Sequence, residues 1–305
     1  MAVGDTITAA RYNIIRARIA AVLGLGSGDE GYGQAVSSST IAVGKTVEAS
    51  DMQKLYNDLY KARLHQVGSP YTAEVNVPSV GDTVEDSNSS TKEGYAQYEA
   101  LSITAQASRL NAASNQLGLQ AGTSSQRTAA WSSDINHLFT VTFPGYSVTN
   151  GDGSTTTVSG AEHMRVFFNA GGTINLSGSI GSGNTPINND WRNLMTSVGT
   201  VIFGRSTTSN GSTGTNYGYS NLPGSYTTVF NKTASAYSAN DYLIEAYKSG
   251  ATLYFRVTFN EDKGPNPNFD EAVTATTTST VQMNRPNNTN SVNIIAPTFT
   301  TTNNL

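Results

Sequence analysis

No cysteine occurs in the chain, which excludes disulfide staples and thiolate metal centres together. Charge is scarce: Asp, Glu, Lys and Arg make up 13% of the residues, against roughly a quarter in an ordinary soluble domain. The net charge is −4 and no Lys/Arg cluster occurs, so the basic footprint that nucleic-acid binding requires is missing. No apolar run approaches the ~20 residues of a membrane span, and the N-terminus lacks the basic-then-apolar layout of a secretion signal. These absences predict a soluble protein made in a cytoplasm, with no nucleic-acid partner and no membrane insertion. HExxH, helical carboxylate–histidine spacing and a nucleophile elbow are also absent, and the three histidines (His65, His137 and His163) stand apart in the sequence. The expectation is a chain without a catalytic residue, metal or cofactor.

Ser, Thr, Asn and Gly take the place of the missing charge, and 15 Tyr with 10 Phe supply aromatic bulk for a sheet core. At the start of the chain, VGDTITAARYNIIRARI from Val3 is echoed by VGKTVEASDMQKLYNDLY from Val43. Each copy reads as an extended entry followed by a helix with an i, i+3, i+7 apolar stripe: Tyr12, Ile15 and Ile19, then Met52, Leu55 and Leu59. Thr8 is a candidate N-cap of the first helix, and Ser50 or Asp51 of the second. Neither helix can bury its stripe alone, so the two are expected to pack together.

Between them lies VLGLGSGDEGYGQ (Val22–Gln34), dense enough in glycine to raise the question of a phosphate cradle. A cradle needs a strand before it and a helix after it. This run follows a helix over Ala9–Leu23, with Gly24 at the helix stop, so it reads as a connector.

Residues 68–91 are turn-rich, and a helical pattern then runs from Lys92 to Gln116. Its stripe is built from small residues, with Ala96, Ala100, Ile103, Ala107 and Leu110 on one side. Such a face fits close approach by another copy of the chain in a homo-oligomer, or a strut lying on its own domain.

Alternation takes over from Leu138. Phe139, Val141 and Phe143 share a face, and in ATLYFRVTF Leu253, Phe255, Val257 and Phe259 point inward while Thr252, Tyr254, Arg256 and Thr258 point outward. HMRVFF (Met164, Val166, Phe168) and TINLSGSI read as two further strands around an NAGG turn, and NNDWRNLMTSVG (Asn188–Gly199) reads as a helix inserted among the strands. The predicted fold class is α+β: a duplicated helical module over 1–70, a linker and long helix over 71–130, and an antiparallel β-sandwich or barrel over 131–305.

Some segments invite chemistry. NGDGST (Asn150–Thr155) lacks the DxDxDG spacing and terminal Glu of a calcium loop, so a turn is expected. Asp134, Glu162, Glu245 and Asp262 are carboxylates that folding could assemble, although nothing in the sequence pairs them. The polar loop 205–225 carries Tyr217 and Tyr219, which suit contact with a glycan or a neighbouring subunit as well as plain solvation. EDKGPNPNF (Glu261–Phe269) reads as an assembly arm or a rigid turn.

Two blocks carry a resemblance. The opening VGDTITAARYN…GLGSGDEGYGQ with its echo VGKTVEASDMQKLYNDLYKARLHQVG, and HMRVFFNAGGTINLSGSIGSG…NNDWRNLMTSVGTVIFG, resemble virion structural proteins of tailed phages, especially contractile-tailed phages of cyanobacteria. The resemblance implies a non-catalytic component of the tail, neck, baseplate or fibre region, assembled in the host cytoplasm and located in the virion. It implies other virion proteins as partners; the small-residue helix and the duplicated N-terminal stripe predict association with copies of itself, a trimer being preferred among homo-oligomers. The alternative is a receptor- or glycan-binding tail fibre or spike that contacts a host-surface glycan. That role predicts aromatic side chains clustered in the loops at one end of the β domain.

Overall fold

The structure is a computed structural model that describes residues 8–69, 75–82, 85–88, 90–234, 240–261 and 272–304. The first copy's VGDT entry, Asp262 and the GPNPNF segment lie outside the described residues. The fold is α+β, with N-terminal helices followed by a β-rich region.

Helices α1 (Ala9–Leu23), α2 (Ala49–Val67) and α3 (Tyr95–Ala107) come first. Strands β1 (Leu117–Arg127), β2 (Ile135–Thr142), β3 (Tyr146–Thr149) and β4 (Thr155–Val158) follow, then α4 (Gly160–Asn169), β5 (Thr173–Ile180) and α5 (Pro186–Val198). Next come β6 (Thr200–Phe203) and the two-residue strands β7 (Thr208–Ser209) and β8 (Gly214–Thr215). The last strands are β9 (Thr227–Thr233), β10 (Asp241–Ser249), β11 (Thr252–Asn260), β12 (Thr277–Pro286) and β13 (Thr298–Asn304).

These elements form two compact units that interleave along the chain. The helical unit comprises Met1–Gly118, Gly145–Gly171 and Pro286–Ile295; the β unit comprises Leu119–Pro144, Gly172–Arg285 and Ala296–Leu305. Residues 145–171 and 286–295, which fall inside the span expected for the β domain, thus cluster with the N-terminal helices.

In the helical unit the two duplicated stripes are buried in one cluster, joined by Tyr95, Tyr98, Leu101 and Ala105 of α3. Full burial of such side chains stabilises by roughly 1.5–3 kcal/mol each. Thr8 caps α1 through its side chain, as expected, and Gly24 ends it. Helix α2 starts slightly earlier than the sequence indicated. Glu48 is its N-cap, and Asp51, at the third helical position, bonds back to the Glu48 N–H at 3.0 Å as a capping box.

The helix predicted over 92–116 ends at Ala107, and residues 114–116 form only a 3₁₀ turn. Beyond Ala107 the backbone is anchored to the end of α2: the Ala113 N–H donates to the His65 carbonyl at 2.9 Å, and Asn115 Nδ2 to the Gly68 carbonyl at 2.6 Å. Ser and Asn side chains there compete with the helical ladder, which favours the break.

HMRVFF, read as a strand, lies in α4, capped by Ser159 accepting from the Glu162 N–H. Met164, Val166, Phe167 and Phe168 are all buried, so the alternation seen in the sequence was part of a nearly continuous apolar run.

The β unit holds a six-stranded sheet, ordered β1-β12-β5-β6-β7-β8, and a five-stranded sheet, ordered β13-β2-β11-β10-β9. Their inner faces meet as a sandwich, with the rings of Phe203 and Phe255 5.2 Å apart across the gap. The alternation predicted for β11 is observed: Leu253, Phe255, Val257 and Phe259 are fully buried. Helix α5, predicted from Asn188, begins at Pro186 under a Thr185 cap and buries Trp191 against Trp131 and Phe259, at 5.4 and 5.6 Å. Gly178 permits this approach, because a Cβ there would press on Met195, Tyr242 and Phe259.

Candidate functional site

The outward face of the five-stranded sheet is built in rows, because its strands pair in register. Thr298, Thr142, Thr252 and Ser249 form the first row. Thr300, Thr140, Tyr254 and Tyr247 form the second, and Thr302, Leu138, Arg256, Glu245 and Thr228 the third. The two-residue turn at Gly250–Ala251, with Gly250 at φ +56°, fixes the β10–β11 register that sets these neighbours.

Tyrosines concentrate on one side of that face. The rings of Tyr247 and Tyr254 stack at 4.4 Å with planes 4° apart. Tyr226, just before β9, sets its ring against Tyr247 at 4.7 Å, edge to face. The Arg256 guanidinium lies 4.5 Å over the Tyr226 ring, and its Nε donates to Glu245 at 2.6 Å. Burial, followed by neighbouring Tyr247, pushes the Tyr226 phenol up. At the same end of β10, Lys248 Nζ sits 4.7 Å over the Tyr219 ring and donates to its carbonyl at 2.8 Å. Burial holds this ammonium below the usual lysine range.

The loop 205–225 is a folded end of the unit. It contains β7, β8 and a 3₁₀ turn at Tyr219–Asn221, and the Thr215 hydroxyl donates to the Val229 carbonyl at 2.8 Å. Of the two tyrosines singled out there, Tyr219 is brought to Lys248, while Tyr217 stands 40% exposed. Tyr226, Tyr247 and Glu245 were not assigned to a contact surface from the sequence, and the short KSGAT turn was the signal that would have paired them. The Ala96–Leu110 stripe lies apart from the buried side of α3: Ala100, Ile103 and Ala107 are exposed, and Leu110 falls past the helix end.

The glycine run in the helical unit binds a cation side chain. Arg165 of α4, 11% exposed, donates to the carbonyls of Leu25 at 2.7 Å, Gly26 and Gly28 at 3.3 Å, and Glu30. Asn169 adds bonds to Gly28 and Glu30 at 3.1 Å, and Glu162 pairs with the guanidinium. Gly26, Gly28, Gly31 and Gly33 all have positive φ, which turns the carbonyls inward. A loop lined with acceptors repels phosphate, so its role is structural, as the flanking sequence indicated.

Among the described residues, each of the candidate carboxylates Asp134, Glu162 and Glu245 is engaged by its own partner. Asp134 accepts from the Glu261 N–H, Glu162 pairs with Arg165 and Glu245 with Arg256. Asn150–Thr155 forms the turn of the β3–β4 hairpin, with Asp152 accepting from the Ser154 N–H at 2.9 Å. Buried Asp190 is pushed above the usual carboxyl range by desolvation and then by the charge of Glu261, which itself accepts from Trp191 Nε1 at 2.9 Å. Among the described residues, no group of three or more His, Asp or Glu could hold a metal ion, and no helix is long and apolar enough to cross a membrane. Searches for relatives found no matching family, no matching curated protein and no matching solved structure.

Proposed function

We propose that the chain is a non-catalytic structural protein of a tailed-phage virion, from its tail, neck, baseplate or fibre region, assembled as a homo-oligomer with a trimer preferred. The sequence blocks around Val3, Val43 and His163 supply the virion assignment. The observation that carries the assembly role is the state of the sheet edges. Strands β1 and β13 each lie outermost in a sheet, and across both the one charged residue is Arg127, with no proline. Solvent-exposed edges are normally guarded by charge, proline or bulges against pairing with another chain. Unguarded edges of this length suit strands that are covered in the assembled particle. Light scattering behind a sizing column tests this: a single defined oligomer is the expected result, and a monomer across a roughly hundredfold concentration range overturns self-assembly.

A second reading, a receptor- or glycan-binding tail fibre or spike, is favoured by a specific observation: Tyr219 and Tyr226 from loops and Tyr247 and Tyr254 from adjoining strand ends gather at one end of the β unit.

A further inference from the structure

We infer that the outward face of the five-stranded sheet is a binding shelf for a neutral saccharide, with a pyranose ring stacked on Tyr254 over a floor of threonine hydroxyls. This rests on the receptor-binding reading and specifies the chemistry of its ligand.

Tyr254 stacks on Tyr247 along the row, so one ring face is occupied and the other is turned toward β2 and β13. There the side chains are short: Thr140 and Thr300 in its own row, Thr142 and Thr298 beside them. Thr298 and Thr300 are exposed and Thr140 is half-buried. Two strands supply a floor about 10 Å wide, the scale of one or two sugar rings. An aromatic wall against apolar C–H groups and a hydroxyl floor matches a ligand with an apolar face and a rim of hydroxyls.

Charge decides which saccharides fit. The first two rows carry no charged residue, and in the third Arg256 is neutralised by Glu245 and covered by Tyr226. Lys248 is held by the Tyr219 carbonyl and ring. No cation among these residues is left to compensate a carboxylate or sulfate, so an anionic sugar would be desolvated without a partner. Nucleic-acid bases also stack on tyrosine, but they require a basic track, which the described residues of this face do not form.

The test is a glycan array bearing cello-, malto-, manno- and chito-tetraose beside tetrauronates and sialyl-lactose, probed with the full chain. The array is followed by calorimetry of Tyr254→Ala, Tyr254→Phe and Thr300→Asp on any tetraose that binds. The expected result is binding to a neutral tetraose, weakened roughly tenfold or more in Tyr254→Ala and held within about threefold in Tyr254→Phe, which keeps the ring. Thr300→Asp, on an exposed edge position, is expected to weaken binding without unfolding the sheet, and so gives an independent readout should Tyr254→Ala fold poorly. Binding confined to the anionic glycans overturns the inference and leaves the receptor-binding reading standing. Neutral binding indifferent to both Tyr254→Ala and Thr300→Asp overturns the placement on this face. An array with no bound glycan overturns the inference and the glycan form of that reading together.

Discussion

In the helical unit, side chains reach across long stretches of sequence to hold backbone, whereas in the β unit rings pack on rings. The Asp58 carboxylate accepts from the Ser37 and Ser38 N–H groups at 2.9 and 2.8 Å, and Gln66 donates to the Ala105 carbonyl at 2.8 Å. Asn13 makes a two-way pair with Ile41, and Arg165 gathers four carbonyls of the glycine loop. The β unit is centred on Trp131, Trp191, Tyr242 and Phe259, whose neighbouring rings lie 5.2–6.1 Å apart. Short helices joined by long loops bury too little apolar area to define where the loops go, so polar tethers add that specification. A sandwich defines its strands through the ladder and needs only a filled interior.

The largest effect should come from breaking the tethered loop at its tightest point. Gly31 sits at φ +97°, and a Cβ there would run into the Leu25 carbonyl oxygen. Gly31→Ala is expected to cost roughly 4 kcal/mol or more. Hydrogen exchange should show protection lost through residues 24–34 and α4 while the β10 and β11 amides remain slow. Uniform loss of protection in both units would show that the contrast drawn here is false. The counterpart is Trp191→Ala, expected to cost about 3–5 kcal/mol by cavity formation, with β-unit amides losing protection first.

Acid comes next in size, and it tests both units at once. Burial lowers His65 and His137 alike to about 4. In the unfolded chain each titrates near 6.5, so the neutral form is the one the fold accepts. Stability from this source is complete above about pH 6.5 and is lost as pH falls through 4, by up to about 3 kcal/mol per histidine. His65 Nε2 lies 3.1 Å from the Ala170 carbonyl and therefore donates, whereas His137 Nδ1 faces the Ser279 hydroxyl at 2.8 Å, which can reverse its role. Urea titrations between pH 7 and 4 should show His137→Gln flattening the acid loss of the β unit and leaving that of the helical unit. An unchanged acid profile would argue that the ring of His137 reaches solvent.

The smallest effects should come from helix caps, where the two units are alike. Ser159→Ala in the helical unit and Thr185→Ala in the β unit each remove one cap acceptor, for about 1 kcal/mol. Similar shifts in thermal midpoint are expected. A several-fold difference would mean that one cap also holds a loop.

Legibility from sequence followed the same divide. Local signals were enough for α1 with its Thr8 cap, for the paired apolar stripes and for the β11 alternation, because each is written within a dozen residues. Helix α4 was misread because Met164, Val166 and Phe168 alternate inside a run buried on nearly every side. The Ser159-x-x-Glu162 start just before that run is the sequence sign of a helix. The Arg165 cage was hidden for another reason: its carbonyl partners are 135–140 positions away and no side-chain pattern marks a carbonyl. Tyr254 was read as outward-facing, but its stack with Tyr247 depends on register across a turn.

The interleaving of the two units has a consequence for synthesis. The helical unit takes in Pro286–Ile295 and the β unit takes in Ala296–Leu305, so each waits for a piece encoded after residue 285. At about 5–20 residues per second, a ribosome needs between about 15 s and a minute to reach that point. As that point is reached the nascent chain carries helices α1 to α5 and most of two sheets with neither unit complete, and β2 still lacks its β13 neighbour. On a polysome, the nearest β-prone segments belong to sister chains. If copies assemble as proposed above, pairing between them can begin before any one copy is finished.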